Sequence, residues 1–226
     1  MGYEWDFWVV FREYGLLLHG LLNTLKVTGL SLAFGVPLGL CLALLRLYGA
    51  WPIRISVGIV IEIFRATPPI AQLFWFFFAL PILVGIEIDP FQASILTFSL
   101  QSSAFFAEVF RGGIVSIDKG QWEAAKAIGM GRNDSLRRII LPQAVKRMIP
   151  AFLERAIELM KTTTLVGTIS YADLLFEANR IAQSTYRALE VFTLAAGMYF
   201  IIIFICSIGV RQLERYMART GETTAH

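Results

Sequence analysis

Residues 189–210 read "LEVFTLAAGMYFIIIFICSIGV". A run of about 20 apolar residues fits the hydrocarbon core of a bilayer as a helix, the one single-segment form that bonds all its own backbone groups there. Four further runs are long enough, roughly 21–46, 54–80, 91–111 and 147–168, and the second is interrupted by "RATPP" at 65–69. Composition agrees: 56% of the 226 residues are hydrophobic, well above the share of a soluble domain. The expected fold class is therefore all-α, a polytopic membrane protein with five transmembrane helices. One transmembrane domain covers 1–226, with no internal repeat and no second domain.

The start, "MGYEWDFWVVFREYG", carries Glu4 and Asp6 where a signal peptide would be positive. Its aromatics, Trp5, Phe7, Trp8, Phe11 and Tyr14, suit a segment (1–20) lying in the membrane interface, where amphipathic rings settle; the other reading is a loose tail. Charges in the connections set the orientation. Lys119, Lys126, Arg132, Arg137, Arg138 and Lys146 crowd 112–146, Arg46 and Arg54 flank the first connection, and the tail holds Arg211, Arg215 and Arg219. The connection 81–90 has Glu87 and Asp89 and no basic residue. Basic loops stay cytoplasmic, so the N-terminus is expected outside, the C-terminus inside, and 112–146 as a cytoplasmic loop.

Some functions are excluded. A net charge of +3 is too small for a nucleic-acid footprint. Cys41 and Cys206 lie far apart in apolar runs and read as small packing residues; with only His19 and His226 besides, neither a metal site nor a nucleophile–base pair is suggested. No G-x-x-x-x-G-K-[ST] loop is present, and "GMGRNDS" has neither its spacing nor its lysine, so any ATP-driven step needs another subunit.

The loop 112–146 is the most patterned stretch. Asp118 is placed to cap a short helix, with Gln121 completing a capping box. Gly129 can end that helix in a left-handed conformation. Asn133 or Asp134 can cap a second helix, "SLRRIIL", interrupted by Pro142. Ala124 and Ala125 leave a low-relief surface and Glu123 favours the helix start. The result is a helical elbow, either a docking knob or an ordinary solvated loop.

Charges also fall inside the expected spans. Arg65 precedes the Pro68–Pro69 break and can pair with Glu62 or hold a ligand carboxylate. Glu108 and Arg111 read as a local pair near the interface. Gln101, Ser102 and Ser103 place small polar groups at mid-depth, to line a pathway or to bond between helices. In the fourth span, "ERAIELMK" puts Glu154, Glu158 and Lys161 on one stripe, with Arg155 beside it. One unpaired charge at a helix centre costs about 2.5–3.5 kcal/mol on insertion scales. These groups must therefore pair, as a structural network, or face water, where they can meet both charged ends of an amino acid. The segment "SYADLLFEANRIAQSTYRAL" is amphipathic through Leu174, Leu175, Ala178, Ile181 and Ala182, as a lid or a cap.

"EAAKAIG" (123–129), nine residues, then "IILP" (139–142) resembles the EAA loop of the membrane subunits of ABC importers. "EIFRATPPIAQLFWF" (62–76), "AFFAEVFRGGIVSIDKGQWEAA" (104–125), "LPQAVKRMIP" (141–150) and "LMKTTTLVG" (159–167) are similar to the polar amino-acid permeases, the histidine, glutamine and arginine permease family, over about residues 20–215. The resemblance implies a type I permease of the bacterial inner membrane, a non-catalytic subunit that forms a pathway for a polar amino acid. It implies a second permease subunit, making a homodimer or heterodimer, two ATP-binding subunits that grip the EAA helix at Glu123, Ala124, Ala125 and Gly129, and an extracytoplasmic solute-binding protein. ATP and Mg²⁺ would sit on the partner ATPases, with no cofactor or metal in this chain.

On that reading Glu154, Glu158, Lys161, Arg65, Gln101 and Ser102 are the candidate substrate-site residues. The family often has Asn where Glu154 stands and "KDTSL" where this chain has "KTTTL". The extra carboxylate suits a second positive charge on the ligand, as in arginine, lysine or histidine. The alternative is a structural half of a heterodimer whose homologous partner binds the substrate; a membrane enzyme lacks a catalytic constellation.

Overall fold

Small residues decide how the long helices meet. The computed structural model describes residues 3–222, with the side chains of Arg211 and of 213–222, and so the tail cations Arg215 and Arg219, outside the description. Helix α1 (Phe7–Phe11) leads into α2 (Tyr14–Tyr48), whose buried face reads Gly20, Thr24, Thr28, Ser31, Gly35, Gly39 and Ala43. Residues three or four apart share a face: Ser31, Gly35 and Gly39 let α6 (Pro90–Val115) approach closely, while Gly20 and Thr24 meet Asp173 and Leu174. At Gly35 the approach excludes any side chain: a Cβ there would stand 2.0 Å from Ser102 Oγ.

The second apolar run is broken. Helix α3 (Trp51–Ala66) and the following helical pair α4 (Pro69–Phe74) and α5 (Leu80–Val84), joined by a π-helical turn, meet at a bend of 106°. Pro68 and Pro69 carry no N–H, which frees carbonyls in the last turn of α3. Gln72 fills in: its amide donates to Phe64 O at 2.9 Å and to Thr67 Oγ1 at 2.6 Å.

After α6 come α7 (Lys119–Ala127) and α8 (Arg132–Ser135), then a π-helical turn into α9 (Leu141–Thr162) and a 3-10 stretch to Ile169. Helices α10 (Leu174–Thr185) and α11 (Ala188–Glu222) complete the chain. The expected spans map onto α2, α3 with α4–α5, α6, α9 and α11. Only α2, α6 and the Ala188–Val210 part of α11 are individually long and apolar enough to cross a membrane among the described residues; the bent pair passes the same test only when its two arms are taken together, as a broken span or a re-entrant loop. Helix α9 has the length but carries Lys146, Arg147, Glu154, Arg155, Glu158 and Lys161.

Several local expectations are corrected. Asp118 caps α7 through Gly120 N at 2.6 Å, but Gln121 accepts from Gln143 Nε2 at 3.3 Å, so no capping box forms there. The box that does form is at Asp89 and Gln92, at the start of α6. Asn133 and Asp134 lie inside α8, whose N-cap is Gly131 without a side-chain bond. Pro142 does not stop the helix: the π-helical turn Leu136–Ile140 absorbs the missing N–H and the helix runs on into α9. Cys41 is exposed on α2 rather than packed.

Candidate functional site

A cavity of about 220 Å³ lies where the break after α3 faces α6 and α9. The Pro68–Pro69 turn delivers Arg65 and Thr67 to its wall, α6 contributes Gln101, Ser102 and Phe105, and α9 contributes Arg155, Glu158 and Thr162. Four of the six expected site residues therefore meet here: Arg65, Gln101, Ser102 and Glu158. Glu154 and Lys161 do not line it, although Glu154 is one turn from Glu158 on α9.

Helical geometry explains the division. At about 100° per residue, Arg155 and Thr162 fall about 40–60° to one side of Glu158, and Glu154 and Lys161 as far to the other. The stripe read from the sequence and the stripe facing the cavity share Glu158 and diverge from it. Glu154 and Lys161 are exposed and form no salt bridge among the described residues. The ion pair of α9 is Arg155 with Glu158, at 2.6 Å, and not Lys161 with Glu158.

The cavity is cationic on balance. Arg65 and Arg155 face a single lining carboxylate, Glu158, whose side chain is 61% exposed. Arg65 also reaches Glu62 at 3.5 Å, the local pair expected from their spacing. Both guanidiniums lie over the Phe105 ring, Arg155 at 4.6 Å and Arg65 at 5.8 Å from its centre, which holds two like charges near one another on a polarisable face.

Gln101 and Ser102 differ in what they already do. Ser102 Oγ donates to Ser99 O at 3.1 Å and packs against Gly35, so it serves the α2–α6 contact. Gln101 is 5% exposed, yet its amide has no hydrogen-bond partner among the described residues. Its amide is not among the sealed, unpartnered side-chain atoms of the described residues, which are Ser31 Oγ, Gln72 Oε1, Ser99 Oγ and Glu177 Oε2, so the surface it keeps opens on the cavity it borders. Phe105, Thr67 and Arg155 were not among the expected site residues. Phe105 follows Gln101 by four, a spacing that places it on the same face of α6 and could have found it.

A second candidate surface is the elbow. Gly129 ends α7 with φ +79, its N–H bonding to Lys126 O at 3.0 Å while Met130 N bonds to Ala125 O at 3.0 Å. This is the left-handed cap that the sequence predicts. Ala125 is buried and faces inward, so of the two alanines only Ala124 offers the low-relief surface; Glu123 is exposed beside it, and Ile128 is 74% exposed at the tip. Trp122 packs beneath, against the cluster of Ile114, Ile117, Ile140, Ala144 and Met148, and fixes the elbow to the ends of α6 and α9.

At the opposite end, Asp173 caps α10 by accepting from Phe176 N at 2.8 Å, and burial pushes its carboxyl up to about 6. Glu190, wholly buried, accepts from Tyr3 Oη at 2.5 Å and Asp6 N at 3.0 Å. Donating to that carboxylate holds the Tyr3 phenol above its ordinary value.

Residues 35–219 match the protein family described as "Binding-protein-dependent transport system inner membrane component". The glutamine transport system permease protein GlnP of Escherichia coli (strain K12) is 35% identical over 218 residues, covering 96% of this chain and 99% of that one. The arginine transport system permease protein ArtQ of Bacillus subtilis (strain 168) is 34% identical over 210 residues, covering 93% of this chain and 96% of that one. Among solved structures, an amino acid ABC transporter crystallised with histidines superposes with a TM-score of 0.90 at 34% identity, over 95% of this chain and all of that one.

Proposed function

We propose, from the premise that this chain belongs to the family of binding-protein-dependent transport system inner membrane components, that the cavity between the α3 break, α6 and α9 holds a polar amino acid in transit. The chain is a multi-pass translocation subunit of an ABC importer in the inner membrane, working with ATPase and solute-binding partners. The finer assembly is part of the proposal: a second permease subunit, two ATP-binding subunits that carry ATP and Mg²⁺ and leave this chain non-catalytic, and the elbow on the cytoplasmic side with the N-terminus outside.

The unpartnered amide of Gln101, open to the cavity it lines, carries the reading. An amide donates and accepts at once, so it can serve a polar ligand side chain. Around it, Arg65 and Arg155 suit the α-carboxylate and Glu158 suits the α-ammonium. Breaking the Arg155–Glu158 pair to engage both ends of one zwitterion leaves the cavity's charge balance unchanged. Glu154, exposed beyond the mouth, offers the extra carboxylate that a cationic amino acid such as arginine would use.

The test is Gln101→Leu in the importer reconstituted with its ATPase and binding protein. Transport falls about tenfold, the value of one to two hydrogen bonds to a ligand, while the melting temperature holds, because no bond within the protein is lost. Undiminished transport would sink the assignment.

The elbow supports a coupling role, with Glu123, Ala124 and Gly129 on its exposed face and Ala125 seating it. Gly129→Val puts a β-branched residue where φ is +79. ATP hydrolysis persists in that variant while transport is lost; intact coupling of the two rates refutes the role.

A further inference from the structure

The end of the molecule that bears the elbow has a second cleft, of about 460 Å³, on the outer side of α2, α3 and α6. Three guanidiniums line it: Arg46 from the last turn of α2, Arg54 from the first turn of α3 and Arg111 near the end of α6. Beside them stand Trp51, Ile55 and Val115.

The charges do not cancel. Glu108 serves two of the three, pairing with Arg46 and, at 2.8 Å, with Arg111. Arg54 forms no ion pair among the described residues. One carboxylate against three guanidiniums leaves a surplus of two positive charges where the apolar parts of three helices end.

The apolar lining says what kind of anion fits. Trp51 is 74% exposed, Val115 59% and Ile55 43%, so they flank the cations and face outward. A small inorganic anion has no use for that rim. A phospholipid has: its phosphate meets the guanidiniums and its acyl chains follow Ile55 and Val115 into the hydrocarbon, with Trp51 at headgroup level. The connection leading into the opposite end of α6 carries Glu87 and Asp89 with no basic residue between Pro81 and Pro90. We infer that this cleft binds the headgroup of an anionic phospholipid, with Arg54 as its uncommitted cation.

Arg54 is the position to test, because its removal breaks no internal pair. The full complex of this chain with its ATPase subunit is purified and titrated with phosphatidylglycerol or phosphatidylethanolamine, bound lipid being counted by native mass spectrometry. The wild type retains phosphatidylglycerol preferentially. Arg54→Gln weakens that retention about fivefold, as expected for one basic residue at the membrane surface. Lys146→Gln, at an exposed cation of α9 outside the cleft, leaves it within twofold. Equal retention of the two lipids, or equal effects of the two variants, overturns the inference. So does inorganic phosphate that displaces the lipid at matching concentration, which would make the cleft a free-anion site. Lipid that binds this chain alone but is expelled on adding the ATPase overturns it as well, and gives the arginines to a protein partner.

Discussion

Two clusters of polar groups lie on different helices, an outer one on α2, α10 and α11 and the cavity's on α3, α6 and α9, and they are built to opposite rules. In the outer cluster each group is engaged. Glu190 takes Tyr3, the Asp6 amide and, at 3.5 Å, Arg187, while Arg187 donates to Glu4 O at 2.9 Å. Asp173 takes the Phe176 amide and Tyr199, and Thr24 Oγ1 accepts from Leu174 N at 3.2 Å. These bonds tie residues 3–6 and α2 to α10 and α11. The cavity cluster has Gln101 unpartnered, Glu158 mostly exposed and Arg65 shared loosely with Glu62. A saturated network fixes one arrangement, whereas an unsaturated one at a cavity wall leaves bonding capacity for something that arrives and departs. The contrast predicts that outer substitutions alter folding and cavity substitutions alter transport.

The largest effect should come from the outer cluster. Glu190→Ala strips three donors of the acceptor they share, one of them the Arg187 guanidinium, and unties residues 3–6 from α11. Size-exclusion chromatography of the purified complex should recover little of it folded. If Glu190→Ala instead assembles normally and only transport suffers, the division between the clusters is wrong.

Next in size is a pH effect at Asp173. Its folded value of about 6 lies above the about 3.9 of an unfolded aspartate. The native state therefore holds the proton more tightly. The stabilisation is complete below about pH 4 and is lost as pH rises through about 6, by about 3 kcal/mol in all. Asp173→Asn keeps the cap, since Asn caps as well as Asp, and removes the charge. Melting curves of variant and wild type should coincide near pH 4 and separate above pH 6, with the variant the more stable. A separation that is constant with pH would show that this carboxyl does not titrate in the window.

What the sequence revealed follows from how local each signal is. The long apolar runs, the Pro68–Pro69 break and the Gly129 cap are set by neighbouring residues and could be read directly. The helix passing through Pro142 could not, because a π-helical turn is a compromise with the packing of Ile140 and Ala144 against Trp122 and Ile117. Nor could the docking of residues 3–6 on Glu190, a pairing across 184 and 187 positions. For the cavity, the sequence yielded one helix that lines it, α9, and half of the face that α9 turns towards it. A stripe of charges on α9 was visible, but which side of it faces α6 depends on a rotation set by the packing of the two helices, where Phe106 and Phe152 stand with rings 4.7 Å apart and Met148 fills the space at Gly113.

That rotation makes the smaller predictions the sharper ones. Glu158 lines the cavity and Glu154 does not, yet they stand one turn apart on α9 with similar exposure and equal charge. Glu158→Gln removes the cavity's one lining carboxylate and frees Arg155, so uptake of every amino acid the importer accepts should fall about tenfold, the worth of one charge-assisted contact. Glu154→Gln should change uptake of a neutral amino acid by less than twofold and weaken that of arginine about threefold, since an exposed carboxylate beyond the mouth attracts a cation only through well-screened water. Competition assays with glutamine and arginine on the reconstituted importer separate the two. Equal losses for both ligands in Glu154→Gln would mean that α9 is turned by about 100° in the working assembly, and that its pathway face is the one with Glu154 and Lys161.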